Sequence, residues 1–228
     1  MDILSLWYYE SVIGLSDFME HTSTIVHGKD FKGRSSRYDF LVKNYKAGNV
    51  LDIGNVGGVF GTAENNFSPY LKFVKEAKES TVYGFDLFEP EENPELYINQ
   101  KYGNIETGLP YQDAFFDTVY LGELIEHVSN PGQVLSEIHR VLKDDGVFIL
   151  DTPNAYSLRK LLKYVLQREE NLGNVTHIIL FTPGSLKSLL ENNGFTTKIL
   201  QEKFGGKFAR VPFTQGLGGH LLVAAGKK

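Results

Sequence analysis

Two periodicities divide this chain. From Gly48 onward, short apolar runs such as Val50-Leu51-Asp52-Ile53 and Val82-Tyr83-Gly84-Phe85 alternate with longer stretches in which apolar residues recur every three or four positions. Short runs bounded by turn residues read as strands buried on both faces, and the longer stretches as amphipathic helices. Strands are therefore expected near 49–53, 81–86, 100–103, 116–121 and 146–151, with helices such as 61–79 and 131–142 between them. Alternation of this kind requires right-handed crossovers and yields a parallel sheet with helices on both faces. The last third changes character: a helix over about 155–168, another from Pro183 to Asn192, a strand from Phe195 to Lys203 and a final strand from His220 to Ala225. Pro183 suits the first helical turn, where its amide has no partner to lose, and Gly194 suits the stop. The glycine-rich return from Phe204 to Gly219 predicts that the closing strand runs antiparallel to its neighbour.

Residues 1 to about 30 mix aromatic and apolar positions (Trp7, Tyr8, Tyr9, Phe18, Met19) in a broadly helical pattern. The expected organisation is an N-terminal helical cap over 1–33, packed on the core or lying over the ligand crevice, followed by one domain over 34–228. A chain of 228 residues with 42% hydrophobic content can bury one substantial core. Its lack of cysteine removes disulfides, thiolate metal sites and a cysteine nucleophile. With no membrane span and no signal-peptide pattern at Met1 to Trp7, the expected compartment is the cytoplasm. A formal net charge of −5 argues against broad nucleic-acid binding, which depends on neutralising phosphates. The basic cluster Lys29, Lys32, Arg34 and Arg37 reads as solvated surface or as contact with an anionic substrate group. Oligomeric state has no signature.

The chemistry concentrates where the first strand ends. Asn49-Val50-Leu51-Asp52-Ile53-Gly54-Asn55-Val56-Gly57-Gly58 runs from an apolar strand through an acid into a glycine-rich turn. Glycines let backbone approach a ligand too closely for a Cβ, at the strand ends where open α/β sheets leave a crevice. A second strand, Thr81 to Asp86, also ends in an acid, and a carboxylate there can accept both hydroxyls of a ribose. The dinucleotide fingerprint Gly-x-Gly-x-x-Gly is not met, because Val56 stands where its second glycine belongs.

The turn resembles motif I of class I S-adenosylmethionine-dependent methyltransferases, Asp/Glu-x-Gly-x-Gly-x-Gly, with Asp52, Gly54 and Gly58 in register and Val56 departing from it. Further on, Glu126-His127-Val128, Pro131, a helix ending Arg140-Val141-Leu142-Lys143, the strand opened by Gly146 and Thr152-Pro153-Asn154 resemble the subgroup of ubiquinone-type and other small-molecule O-methyltransferases. The resemblance covers about residue 34 to the end. It implies a Rossmann-like α/β fold: a seven-stranded, mostly parallel sheet with helices on both faces and the last strand antiparallel. It also implies S-adenosylmethionine as cofactor, shaped by Asp52, Gly54, Asn55, Gly58 and Gly122, with Asp86 and Leu87 at the ribose and Asn104 and Ile105 at the adenine. Asp117 matches an acid of the family that is often structural. The implied acceptor is a small molecule or a glycan or lipid precursor.

His127 is the candidate base, since histidine suits removal of a hydroxyl proton near neutral pH; it also suits a structural place at a helix start. If residues 123–127 are helical, Glu123, Glu126 and His127 share one face. That trio resembles the metal motif of small-RNA 2′-O-methyltransferases, in which a later histidine, here His177, completes the shell. Oxygen-rich ligation with histidine suits Mg²⁺ or Mn²⁺. The carboxylates equally suit a helix N-terminus. Two alternatives to a small-molecule O-methyltransferase stay open: a non-catalytic cofactor-binding module and a metal-dependent RNA-end 2′-O-methyltransferase.

Overall fold

The computed structural model describes residues 35–56, 70–90, 94–167, 176–203 and 218–228. The expected cap over 1–33, Gly58 and the first part of the helix expected over 61–79 lie outside the described residues. The elements run α1 (Ser35–Asn44), β1 (Asn49–Ile53), α2 (Tyr70–Glu76), β2 (Thr81–Asp86), β3 (Gln100–Tyr102), β4 (Phe116–Gly122), α3 (Pro131–Val141), β5 (Leu142–Pro153), α4 (Leu158–Gln167), α5 (Pro183–Asn192), β6 (Phe195–Lys203) and β7 (His220–Lys227). Seven strands form one sheet in the order β3-β2-β1-β4-β5-β7-β6. The first five are parallel, and β7 runs antiparallel to both β5 and β6. The sheet order reverses between β1 and β4, and a reversal of this kind opens a crevice at the carboxyl ends of the strands.

The inner strands β1, β4, β5 and β7 read as apolar runs because both faces are covered, whereas the edge strand β3 is polar and largely exposed. Along β1, Val50 joins one buried cluster while Leu51 and Ile53 join the other. The same alternation holds at Tyr120 against Val119 and Leu121, Ile149 against Phe148 and Leu150, and Leu222 against Leu221 and Val223. One face meets α3 and α5 through Val134, Leu135, Ile138, Leu186 and Leu190, and the other includes Phe40, Leu41, Tyr70 and Phe73 from α1 and α2. Side chains start the covering helices. Asn130 accepts the Gln133 N–H ahead of Pro131, and Thr182 with Ser185 forms a reciprocal capping box ahead of Pro183.

Several boundaries differ from the sequence reading, two of them for a reason the structure shows. β5 begins at Leu142 rather than 146, because Leu142 is fully buried and pairs with Phe116 before the register shifts. α4 begins at Leu158 rather than 155, because Asn154 bridges to Phe181 and its side chain accepts the Tyr156 N–H, holding the chain in a turn. Ile138→Ala removes a fully buried side chain from the centre of α3. It should lower unfolding stability by about 2–5 kcal/mol, read from chemical denaturation.

Candidate functional site

The turn leaving β1 is tied to the end of β2. Gly54, at φ +79°, donates its N–H to the Phe85 carbonyl at 2.8 Å, and Val56 donates its N–H to Asp86 Oδ2 at 2.8 Å. Phe88 donates to the other carboxylate oxygen at 3.0 Å. Asp86 therefore lies across the turn, with lone pairs left for further donors, since an ionised carboxylate has about four acceptor sites. Burial raises its pKa, and the backbone donors at Phe88 and Val56 oppose that rise. The Val56 side chain is buried in the cluster that holds Phe40, Tyr70 and Phe73. Asp52 is buried near the end of the same strand.

Asn55 is fully buried and joined to β3 by a reciprocal amide pair, Asn55 Nδ2 to Gln100 Oε1 at 2.8 Å and Gln100 Nε2 to Asn55 Oδ1 at 2.9 Å. This pair crosses β2 at Gly84, where a Cβ would come within 1.8 Å of Gln100 Oε1. Leu87 is exposed just past Asp86. Asn104 is exposed too, and its Oδ1 accepts the Glu106 N–H at 2.9 Å, capping the 3₁₀ turn Ile105–Thr107. Ile105 is buried in the core beneath that turn. Beside it an open cavity of about 440 Å³ is lined by residues that include Phe85, Tyr102, Leu109, Gln133 and Glu137. None of Asp52, Gly54 or Asp86 borders that cavity.

On the other side of the reversal, the turn after β4 approaches the turn after β1: the Cβ position of Gly54 is 3.6 Å from Leu124 Cδ2. Residues 123–127 form a turn rather than a helix, and Glu123 takes a left-handed φ of +49°. The expected group of four is thereby split in two. Glu126, His127 and His177 stay together, each offering a ligand atom, with all these atoms within 4.8 Å of one another. Glu123 instead contacts the Arg37 guanidinium and lies 2.8 Å from His220 Nδ1. Arg37 also reaches Asp151 Oδ1 at 3.1 Å, and Asp151 accepts the Tyr120 hydroxyl. A Cβ at Gly122 would lie 2.6 Å from that hydroxyl, which is the physical reason for glycine there. Asp151 and His220 were not legible as site residues, and Arg37, read as solvated surface or as contact with an anionic substrate group, is instead largely buried against Glu123 and Asp151; the three come from α1, β5 and β7 and meet only across the sheet.

Glu126 is almost fully buried. Thr152 donates to its Oε2 at 3.0 Å, His177 Nε2 stands 3.9 Å from its Oε1, and Oε1 has no hydrogen-bond partner among the described residues. Burial, reinforced by the Glu123 and Asp151 charges, pushes its carboxyl up to about 8. His127 places Nδ1 3.0 Å from the Thr176 carbonyl, and its ring meets that of His177 edge-on at 4.7 Å. The Lys160 ammonium is buried without a hydrogen-bond partner among the described residues, and burial lowers its pKa against the pull of Glu126 and Glu123.

Residues 31–199 match the family model described as a methyltransferase domain. This chain belongs to that family. A probable S-adenosylmethionine-dependent methyltransferase of Mycolicibacterium smegmatis is 34% identical over 98 residues, 43% of this chain and 35% of that protein. Arginine-hydroxylase NDUFAF5, mitochondrial, of Homo sapiens is 32% identical over 122 residues, 50% of this chain and 35% of that protein. The chain thus spans about a third of the length of these two relatives. The crystal structure of a SAM dependent methyltransferase from Archaeoglobus fulgidus shares the fold, with a TM-score of 0.62 at 19% identity over 85% of this chain and 92% of that one. Among the described residues no helix is long and apolar enough to cross a membrane.

Two outcomes follow for this methyltransferase domain. Gly84→Ala should displace the Asn55–Gln100 pair. The overpacking should cost about 1–3 kcal/mol by denaturation and weaken ligand binding at the turn. The Glu126 carboxyl sits at about 8 in the folded chain, above its ordinary value of 4.5, so between those values the folded state holds a proton that the unfolded state has released. Its contribution to stability is present at low pH and declines as pH rises through that window. Melting temperature should fall more steeply from pH 5 to pH 8 in the wild type than in Glu126→Gln; parallel profiles would contradict the assignment.

Proposed function

We propose that this chain binds S-adenosylmethionine and transfers its methyl group to an oxygen of a small-molecule, glycan or lipid-precursor acceptor. The observation that carries the reading is the Asp86 carboxylate, held across the glycine turn by the Val56 and Phe88 amides at the point where the sheet order reverses. Asp86 accepts the ribose hydroxyls, and Asp52, Gly54, Asn55, Gly58 and Gly122 shape the place of the amino-acid end. Leu87, Asn104 and Ile105 flank the adenine: the amide of Asn104 takes the exocyclic amine, and Ile105 supports the turn on which the ring rests. Membership of the methyltransferase family and the likeness to the mycobacterial relative support the cofactor.

Methyl transfer from a sulfonium depends mainly on alignment, because the thioether is already a good leaving group. The chain's task is to hold the acceptor oxygen in line with methyl and sulfur, keep water out, and take a proton. His127 is suited to the last task or to holding a cation: with Nδ1 against the Thr176 carbonyl, Nε2 is left for either. A divalent ion fits the unpartnered Oε1 of Glu126 beside His127 and His177. Mn²⁺ held by these three would lower the pKa of a bound hydroxyl, while two imidazoles and one carboxylate suit Mg²⁺ less well. The net charge of −5 weighs against an RNA acceptor.

Calorimetry with S-adenosylmethionine and S-adenosylhomocysteine tests the reading. Both should bind, and Asp86→Asn should weaken them about tenfold to a hundredfold, the range expected for lost charge-assisted hydrogen bonds. Failure of the wild type to bind either would overturn it, and binding without turnover on any hydroxyl acceptor would leave a cofactor-binding module. Mn²⁺ at pH 8 should raise the melting temperature of the wild type and leave Glu126→Gln unchanged.

A further inference from the structure

We infer that His220 is the proton acceptor for the hydroxyl being methylated, and that Glu123 is its positioning residue. The inference rests on the methyl-transfer reading and extends it to the last strand, where no motif pointed. His220 opens β7 and pairs with Pro153 at the carboxyl end of β5. Glu123 leaves the carboxyl end of β4 one residue before Leu124, whose side chain meets the turn after β1. If the cofactor occupies the β1–β2 side of the reversal, the β4–β5–β7 edge is the remaining wall of the crevice, and the two residues stand on it together.

Charge and geometry set the tautomer. His220 Nδ1 is 2.8 Å from Glu123 Oε1. Burial would raise the Glu123 carboxyl, but His220 and Arg37 outweigh it and hold the group well below the ordinary carboxylate range. An ionised carboxylate only accepts, so the shared proton sits on Nδ1 and Nε2 is the bare nitrogen. Arg37 Nη2, at 3.5 Å from the same Nδ1, is too distant to compete and is engaged by Glu123 and Asp151. The His220 side chain keeps 31% exposure, against 26% for Glu123, 10% for Arg37 and 2% for Asp151, so the imidazole is the most accessible member of the group. Glu123 holds a left-handed φ, a backbone state that clusters at functional sites when its surroundings over-determine it.

In the step itself, Nε2 takes the hydroxyl proton while an oxygen lone pair forms the new bond to the methyl carbon. The carbon–sulfur bond breaks, and its electrons stay on sulfur as a neutral thioether. The imidazolium formed faces the Glu123 carboxylate, which stabilises it as a triad acid does. His127, with Nδ1 against the Thr176 carbonyl and Glu126 and His177 beside it, is left for holding the acceptor or a cation.

Histidine-labelled protein examined by long-range nitrogen–proton NMR tests the inference, with His220→Gln assigning the resonance. In neutral His220 the proton should reside on Nδ1, and Glu123→Gln should shift the equilibrium toward Nε2–H. Saturating S-adenosylhomocysteine should move the His220 signals and leave His139, packed edge-on against Phe195, in place. A proton on Nε2 in the wild type, insensitivity to Glu123→Gln, or an unmoved His220 when calorimetry shows the ligand bound would each overturn the assignment alone. Absence of ligand binding would instead remove the cofactor reading and this inference with it.

Discussion

The bond from the Val56 N–H to the Asp86 carboxylate joins the two strand ends on which the rest of the site depends. It aligns the turn after β1 with the end of β2 and keeps Asp86 at the crevice despite its burial. A buried carboxylate is costly unless it is hydrogen-bonded, and here two backbone amides meet that need without using all of its acceptor capacity. The same bond explains how valine is accommodated in a turn that resembles a triple-glycine motif. Its amide serves Asp86 while its side chain packs away into the core.

Polarity follows the strand direction. The inner strands are mainly apolar on both faces. Asp117 and Thr118 sit at the amino end of β4, but most buried polar residues, among them Asp52, Asn55, Asp86, Asp151, Thr152 and Asn154, gather at or just past carboxyl ends. Among the described residues this edge also carries the buried Lys160 ammonium and the unpartnered Oε1 of Glu126. A folded chain tolerates such groups together when they serve a ligand, because each costs more in isolation than it returns.

The segment Glu123 to His127 has two jobs because it is a turn. A helix would have kept Glu123, Glu126 and His127 on one face. The left-handed residue at 123 instead gives the first carboxylate to Arg37 and His220 and leaves the second beside His127 and His177. Two imidazole–carboxylate groups result, one with its carboxyl pushed up by burial and the other with its carboxyl held down by His220 and the Arg37 guanidinium.

The alternation of short apolar runs with helical stretches was enough to locate the inner strands and the helices from α2 to α5, since burial on two faces leaves a readable pattern; the edge strand β3, polar and mostly exposed, carries no such pattern. The placement of Asp52, Gly54 and Asp86 at the ends of β1 and β2 was legible for a similar reason: local backbone demands confine such positions to particular residue types at particular spacings. Boundaries that depend on partners were not legible. Leu142 became strand because Phe116 lay opposite, and Asn154 became a turn because Phe181 did. Nor could any local pattern separate Glu123 from Glu126, or bring Arg37 to His220, which stand 183 residues apart in the chain. Short-range order is written in the periodicity of the chain, while the meeting of distant charges depends on strand order and burial, which exist only after the sheet has closed.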